Sequence, residues 1–269
     1  MQIPDALGII AGNGVYPRLL AEAARRSGVK RIVAAAFRDE TDERLAGIVD
    51  EIQWMRVGQL GKLIASFRNA GVTNAIMAGQ IAPKNLFDLR PDWKTLLLLA
   101  RLKRRNAASI FAAIGDELGR VGITLLPATS FLEDCLAPAG LIAGRKLTRR
   151  EEDDVALGFE IAREVSRLDI GQTVIVKNGT VLAVEGFEGT NESIKRGGAL
   201  GGKNAIMVKV AKPDQDMRFD VPVIGIATIA VATEANLRVI AIEAARTLLL
   251  EKKALVEQAA RANISIVAR

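Results

Sequence analysis

Apolar residues in the first half of the chain come in short unbroken blocks, with amphipathic stretches between them. Residues 7–11, 31–37, 52–57, 73–78 and 123–126 are the candidate strands, and IVAAAF at 32–37 and NAIMAG at 74–79 show the pattern most clearly. Runs this short, without alternation, predict strands covered on both faces. The stretches 16–27, 59–70 and 107–121 have helical spacing. Strand and helix in alternation predict a parallel sheet with right-handed crossovers. The second half has a different pattern. Thr148 and Glu151 form a capping box that starts a helix running to about residue 167. TVIVKNGTVLAVEGFE follows, two strands joined at Asn178-Gly179, a strong hairpin signal. A helix near 191–200, strands at 205–211 and 222–226, a helix at 229–237, a strand at 239–243, a helix at 246–261 and a strand at 264–267 complete the reading.

The expected fold is α/β: a Rossmann-like parallel-sheet domain over 1–132 and a mixed α/β domain over 148–269. Residues 133–147 are read as a linker, because the stretch from Pro127 to Lys146 is rich in Pro and Gly and lacks periodicity. A chain of 269 residues is long enough for two cores.

Composition narrows the chemistry. There is no histidine, which removes Ser–His and Cys–His nucleophiles, His-ligated zinc and the usual neutral-pH base. The single cysteine, Cys135, excludes an internal disulfide and reads as a small core residue. Any chemistry falls to carboxylates, cations, hydroxyls, backbone amides or a hard cation, Mg²⁺ rather than zinc. The net charge of +6 suits an anionic partner. Aromatics at 4% and the lack of a recognisable motif argue against nucleic acid. The longest uncharged run, Val221 to Thr233, has 13 residues, too few to span a bilayer. With no visible signal peptide, the expected location is cytoplasmic.

The sharpest local signal is LGIIAGNG at 7–14, an apolar strand running into a glycine turn and a helix. Gly12 and Gly14 permit a tight turn and close approach, and the helix N-terminus favours phosphate. A dinucleotide fingerprint would need a third glycine where Pro17 stands, and Phe37-Arg38 follows the second strand without an acid in place. An NAD-dependent oxidoreductase is therefore an alternative with a defective fingerprint. Gly79-Gln80 closes a second strand and could share a crevice with Gly12–Gly14, or be an ordinary loop. At 185–198, Glu185 and Glu188 flank a strand end, Gly189-Thr190-Asn191 opens a helix, and Lys195-Arg196 follow. This segment reads either as a site for a metal-bound phosphate or as a solvated turn with an Asn cap. WKTLLLLARLKRR at 93–105 reads either as an interfacial helix touching anionic lipid or as a core helix with cations at its C-terminus. In VPVIGIATI at 221–229, Thr228 is the expected N-cap. The apolar segment VATEANLRVIAIEAA at 231–245 is a candidate homodimer face.

LGIIAGNGVYP at 7–17, IMAGQI at 76–81, LTRREEDD at 147–154, VIVKNGTVLAVEGFEGT at 174–190 and VPVIGIATI at 221–229 together resemble the LpxI-type UDP-2,3-diacylglucosamine pyrophosphatases of lipid A synthesis. The resemblance spans the chain. It implies hydrolysis of UDP-2,3-diacylglucosamine to UMP and 2,3-diacylglucosamine 1-phosphate (lipid X). Water would attack the phosphorus of the UMP part with a divalent cation, in a cleft between two domains at the cytoplasmic face of the inner membrane. It implies substrate contacts at Gly12, Asn13, Gly14, Gly79, Gln80, Thr148, Lys177, Glu188, Gly189, Thr190, Asn191 and Lys209. Cation ligation would fall to Glu185 and Glu188, and the chemistry to position 227 with Thr228. There the chain departs from the family pattern G-x-D-T, having Ala227 in place of aspartate. Alanine neither binds a cation nor orients water, so the chain is expected to be an inactivated, substrate-trapping form. A second departure is Asn106-Ala107-Ala108, where relatives are expected to be more acidic. A non-catalytic nucleotide or lipid carrier is the other alternative.

Overall fold

The computed structural model describes residues 3–81, 91–103, 107–213 and 215–269. The chain forms two compact units. One contains residues 1–133 with 216–220; the other contains 134–215 with 221–269.

The first unit is a five-stranded parallel sheet: β1 (Ala6–Ala11), β2 (Arg31–Phe37), β3 (Glu51–Met55), β4 (Asn74–Ala78) and β5 (Thr124–Leu125) in the order β3-β2-β1-β4-β5. Helices α1 (Tyr16–Arg26), α2 (Leu60–Asn69), α3 (Trp93–Arg101) and α4 (Ala107–Arg120) connect or flank these strands. The blocks of β1, β2 and β4 are buried on both faces, as expected, whereas β3 is mostly half-buried with only Met55 in the core. Residues 32–36 and 75–78 are all buried. The strand order reverses between β1 and β4, which makes that point the switch of a doubly wound sheet. Helix α3 is clamped at its start. Asp92 accepts from Thr95 N at 2.9 Å and from Gly61 N at 2.6 Å, and Thr95 Oγ1 donates to Gly58 O at 2.5 Å. Its Leu98 enters the core, while Trp93, Leu96 and Leu97 stay exposed. The core-helix reading of this segment thus holds for one face only. Residues 216–220, which the sequence reading gave to the C-terminal half, join the first unit. Met217 O accepts from Ala128 N at 2.7 Å, and Phe219 meets Phe111 with ring centroids 5.8 Å apart.

The second unit has a six-stranded mixed sheet, ordered β6-β13-β11-β9-β7-β8. Its strands are β6 (Gly140–Ala143), β7 (Thr173–Lys177), β8 (Thr180–Val184), β9 (Ala205–Lys209), β11 (Leu237–Ile242) and β13 (Ser265–Ala268). β9, β11 and β13 are parallel; β6 and β7 join them antiparallel. A separate parallel pair joins β10 (Val223–Ile224) to β12 (Leu248–Leu249). The helices are α5 (Arg149–Arg167), α6 (Thr190–Gly201), α7 (Ile226–Glu234) and α8 (Lys252–Arg261). The hairpin turns at Asn178 (φ 49°) and Gly179 (φ 72°), the left-handed pair that Asn-Gly favours.

Several sequence expectations need correction. Residues 140–143, read as linker, form an edge strand on β13. The helix expected from 246 starts at Lys252, because Leu248 and Leu249 pair with Val223 and Ile224, and Glu251 takes a left-handed φ of 51°. Helix α7 begins at Ile226, so Thr228 is not its N-cap but lies in its first turn, where its Oγ1 accepts from Gly225 N at 3.4 Å. The apolar 231–245 segment supplies β11, buried between β9 and β13. Most of its apolar residues are taken up by this core. Cys135 is half-buried rather than a core residue. Asn106 lies outside the described residues.

Candidate functional site

In the first unit the two glycine loops meet. Gly12 N donates to Ala78 O at 2.8 Å and Asn13 N to Gln80 O at 2.7 Å, with Gln80 N returning to Asn13 O at 3.3 Å. This bridge crosses the carboxyl ends of β1 and β4, at the switch point. The approach demands glycine. A Cβ on Gly12 would stand 2.5 Å from Gln80 O, and one on Gly79 (φ 91°) would stand 2.5 Å from Asn13 O. Asn13, Gly14, Gly79 and Gln80 are exposed at this rim. Beneath it, Asn13 Nδ2 donates to the buried Glu40 at 3.4 Å. Helix α1 follows with Pro17 in its first turn and no side-chain cap on its N-terminus. This is a rim of backbone dipoles of the kind that receives phosphate.

In the second unit the polar residues gather at one edge of the sheet. β9, β11 and β13 end there, β7 starts there and β8 ends there. Lys209, the last residue of β9, is 6% exposed and donates to Thr190 Oγ1 at 2.8 Å. Thr190 opens α6 and donates to Glu185 Oε1 at 2.9 Å, with Thr173 Oγ1 at 3.4 Å. Glu185 Oε2 accepts from Gln172 N at 3.3 Å. The buried Gln172 Oε1 has no hydrogen-bond partner among the described residues. An orphan acceptor costs about 1–3 kcal/mol, and a ligand donor would relieve it.

Helices α6 and α7 each return directly into a strand of the parallel set, β9 and β11. Asn204 N bonds Asn236 O at 2.8 Å where the two returns meet. Their N-termini therefore open at the same sheet edge as Lys209. Ala227, exposed in the first turn of α7, belongs to this edge. Two helix N-termini and the buried Lys209 are groups that favour an anion, and the buried Glu185 carboxylate stands beside them through Thr190.

A cation held by Glu185 and Glu188 does not fit. Both Glu185 oxygens accept internal hydrogen bonds, as above. Glu188 is taken by Arg196 at 2.5 Å and by Gly186 N at 3.0 Å. Arg196 holds the Glu188 carboxyl below its usual range. Among the described residues no three acidic, Cys or His side chains converge on a metal position. Lys195 is likewise paired, with Glu192 at 2.7 Å.

Two other residues singled out in the sequence stand elsewhere. Lys177, at the opposite end of β7, donates to Gly201 O at 2.6 Å and so caps the C-terminus of α6. Thr148 caps α5 in a full capping box with Glu151. Sequence reasoning passed over Gln172 and Thr173. The available signal was a polar pair opening an otherwise apolar strand.

Residues 6–135 match the LpxI N-terminal domain and residues 138–267 the LpxI C-terminal domain. The chain belongs to the LpxI family. A curated member, UDP-2,3-diacylglucosamine pyrophosphatase LpxI of Caulobacter vibrioides, is 31% identical over 94% of this chain and 93% of its own length. Among solved structures, the biotin carboxylase domain of a Hydrogenobacter thermophilus 2-oxoglutarate carboxylase aligns with a TM-score of 0.29 at 12% identity. That alignment covers 67% of this chain and 36% of the carboxylase, a likeness too slight to bear on function.

Proposed function

We propose that this LpxI-family chain binds UDP-2,3-diacylglucosamine and hydrolyses its pyrophosphate to UMP and lipid X, with turnover held low by Ala227. The buried Lys209 bonded to Thr190 at the opening of α6 is the observation that carries the reading. A pyrophosphate bears dense negative charge that must be neutralised before water can approach phosphorus. Lys209 and the N-terminal amides of α6 and α7 supply that neutralisation without a histidine. The glycine rim at Gly12–Gly14 and Gly79-Gln80 suits the nucleotide phosphate. Binding survives the alanine because these groups and the acyl chains still act on the ground state. What is missing is a carboxylate to orient the attacking water at position 227, a contribution made in the transition state.

The substrate's two acyl chains support a peripheral place for the chain at a membrane surface, read as the cytoplasmic face of the inner membrane. No helix among the described residues is long and apolar enough to cross a bilayer.

The test is UMP release from UDP-2,3-diacylglucosamine, together with calorimetric binding of the same lipid. Binding with slow release supports the reading. Absence of binding overturns it, and binding with no release even after Ala227→Asp makes the chain a carrier.

A further inference from the structure

Helix α3 exposes a stripe that its own unit does not cover. Trp93 is 70% exposed, Leu96 55% and Leu97 38%. With the exposed Ala100 they stand at i, i+3, i+4 and i+7, one face of the helix. The opposite face carries Thr95 and Leu98, both buried. The sequence from 93 to 103 contains no acid, and its cations Lys94, Arg101 and Lys103 are all exposed, Arg101 standing 3.9 Å from Glu117 on the neighbouring helix. The clamp of Asp92 and Thr95 onto Gly61 and Gly58 holds this face out on a fixed support.

A large aromatic and two leucines left in water in a clamped helix mark a contact surface. The flanking charge selects the partner. A second copy docking by a two-fold axis would bring the same three cations against themselves. An anionic bilayer instead accepts the apolar stripe at the acyl boundary and the cations among its phosphates.

We infer that α3 is a membrane-docking helix. It seats Trp93, Leu96 and Leu97 in an anionic lipid surface, with Lys94, Arg101 and Lys103 on the headgroups. The inference rests on the proposed function only in that a two-chain lipid substrate gives the protein reason to work at a bilayer.

The test is co-sedimentation with vesicles of phosphatidylcholine containing phosphatidylglycerol. The chain should bind these and largely leave pure phosphatidylcholine. The variant Leu96→Glu/Leu97→Glu, whose new side chains lie in solvent, should lose at least about ten-fold in partition. Lys94→Gln/Arg101→Gln should lose about five-fold for each cation removed. Leu200→Glu, at an exposed apolar site of the second unit, should bind as before.

Unchanged binding by the first two variants, or equal binding to both vesicle types, overturns the inference. So does a self-associated chain that Leu96→Glu/Leu97→Glu converts to monomer in sedimentation velocity. Affinity for the substrate dispersed in non-ionic detergent separates the two proposals. Substrate binding without vesicle binding overturns only the docking helix, and vesicle binding without substrate binding overturns only the substrate reading.

Discussion

Lys209 reaches from the end of a buried strand to the first hydroxyl of helix α6, bonding Thr190 at 2.8 Å. An ammonium 6% exposed in an apolar strand is costly to desolvate, and the fold keeps it at the edge where two helix N-termini open. Replacing it with methionine, of similar volume, should cost about 1–3 kcal/mol of folding stability, because the groups it bonds, Thr190 among them, lose a buried donor. Affinity for UDP-2,3-diacylglucosamine should fall about ten-fold or more, as expected for losing a charge-assisted bond to phosphate. Calorimetry and a melting curve on Lys209→Met check both. Unchanged affinity would make Lys209 a purely structural residue.

Ala227 is exposed in the first turn of α7, so an aspartate there meets solvent and the positive end of the helix rather than the core. Ala227→Asp should be neutral or stabilising by about 0.3–1 kcal/mol. UMP release should rise at least about 100-fold, the contribution of a positioned acid or base. Run with Mg²⁺ and again with EDTA, the assay should show cation dependence in the variant, because a carboxylate adds an oxygen ligand that alanine lacks.

The rim of the first unit should be intolerant of any side chain. Gly79→Ala places a Cβ 2.5 Å from Asn13 O at a φ of 91°. Strain of this kind costs about 1–3 kcal/mol. Thermal melting should drop by several degrees, and UMP affinity should fall with it as the rim opens. Gly14→Ala, with nothing within 4 Å of its Cβ, should melt closer to the parent despite its own φ of 91°. Equal losses in the two variants would show that backbone angle, not the meeting of the loops, sets the requirement.

Much of this arrangement is legible in the sequence because it is locally encoded. Unbroken apolar blocks become doubly covered strands, Asn178-Gly179 makes the hairpin, and Thr148 with Glu151 starts α5 where expected. The pairing of the Gly12 and Gly79 loops follows from both closing parallel strands. Features decided by distant partners are not legible. Leu248 and Leu249 favour helix locally and become a strand because Val223 and Ile224 lie beside them. Glu185 and Glu188 look like a ligand pair until Thr190 and Arg196 occupy them. Lys177 looks like a phosphate contact from its motif, yet it caps a helix ending 24 residues on. Conversely, the lone lysine in AIMVKV was the visible trace of the Lys209 contact.

The Thr148–Glu151 box should report on acid stability. Glu151 Oε2 accepts from Thr148 N at 2.7 Å, and both carboxylate oxygens receive the Arg145 guanidinium, at 2.8 and 2.7 Å. Hydrogen bonding to Arg145 foremost, helped by Thr148, lowers the carboxyl pKa from 4.5 to about 2. The folded state therefore releases this proton more readily than the unfolded chain. The stabilisation is fully present above pH 4.5 and drains away as the pH falls toward 2. Glu151→Gln keeps the shape and part of the cap but removes the titration. Its melting temperature should lie below the parent's at pH 6, and the gap should narrow steadily as the pH falls from 4.5 toward 2. Thr148→Ala, which removes the cap hydroxyl, should cost about 1 kcal/mol at neutral pH. A Glu151→Gln gap that stays constant across this range would show that the ion pair with Arg145 contributes nothing to folding.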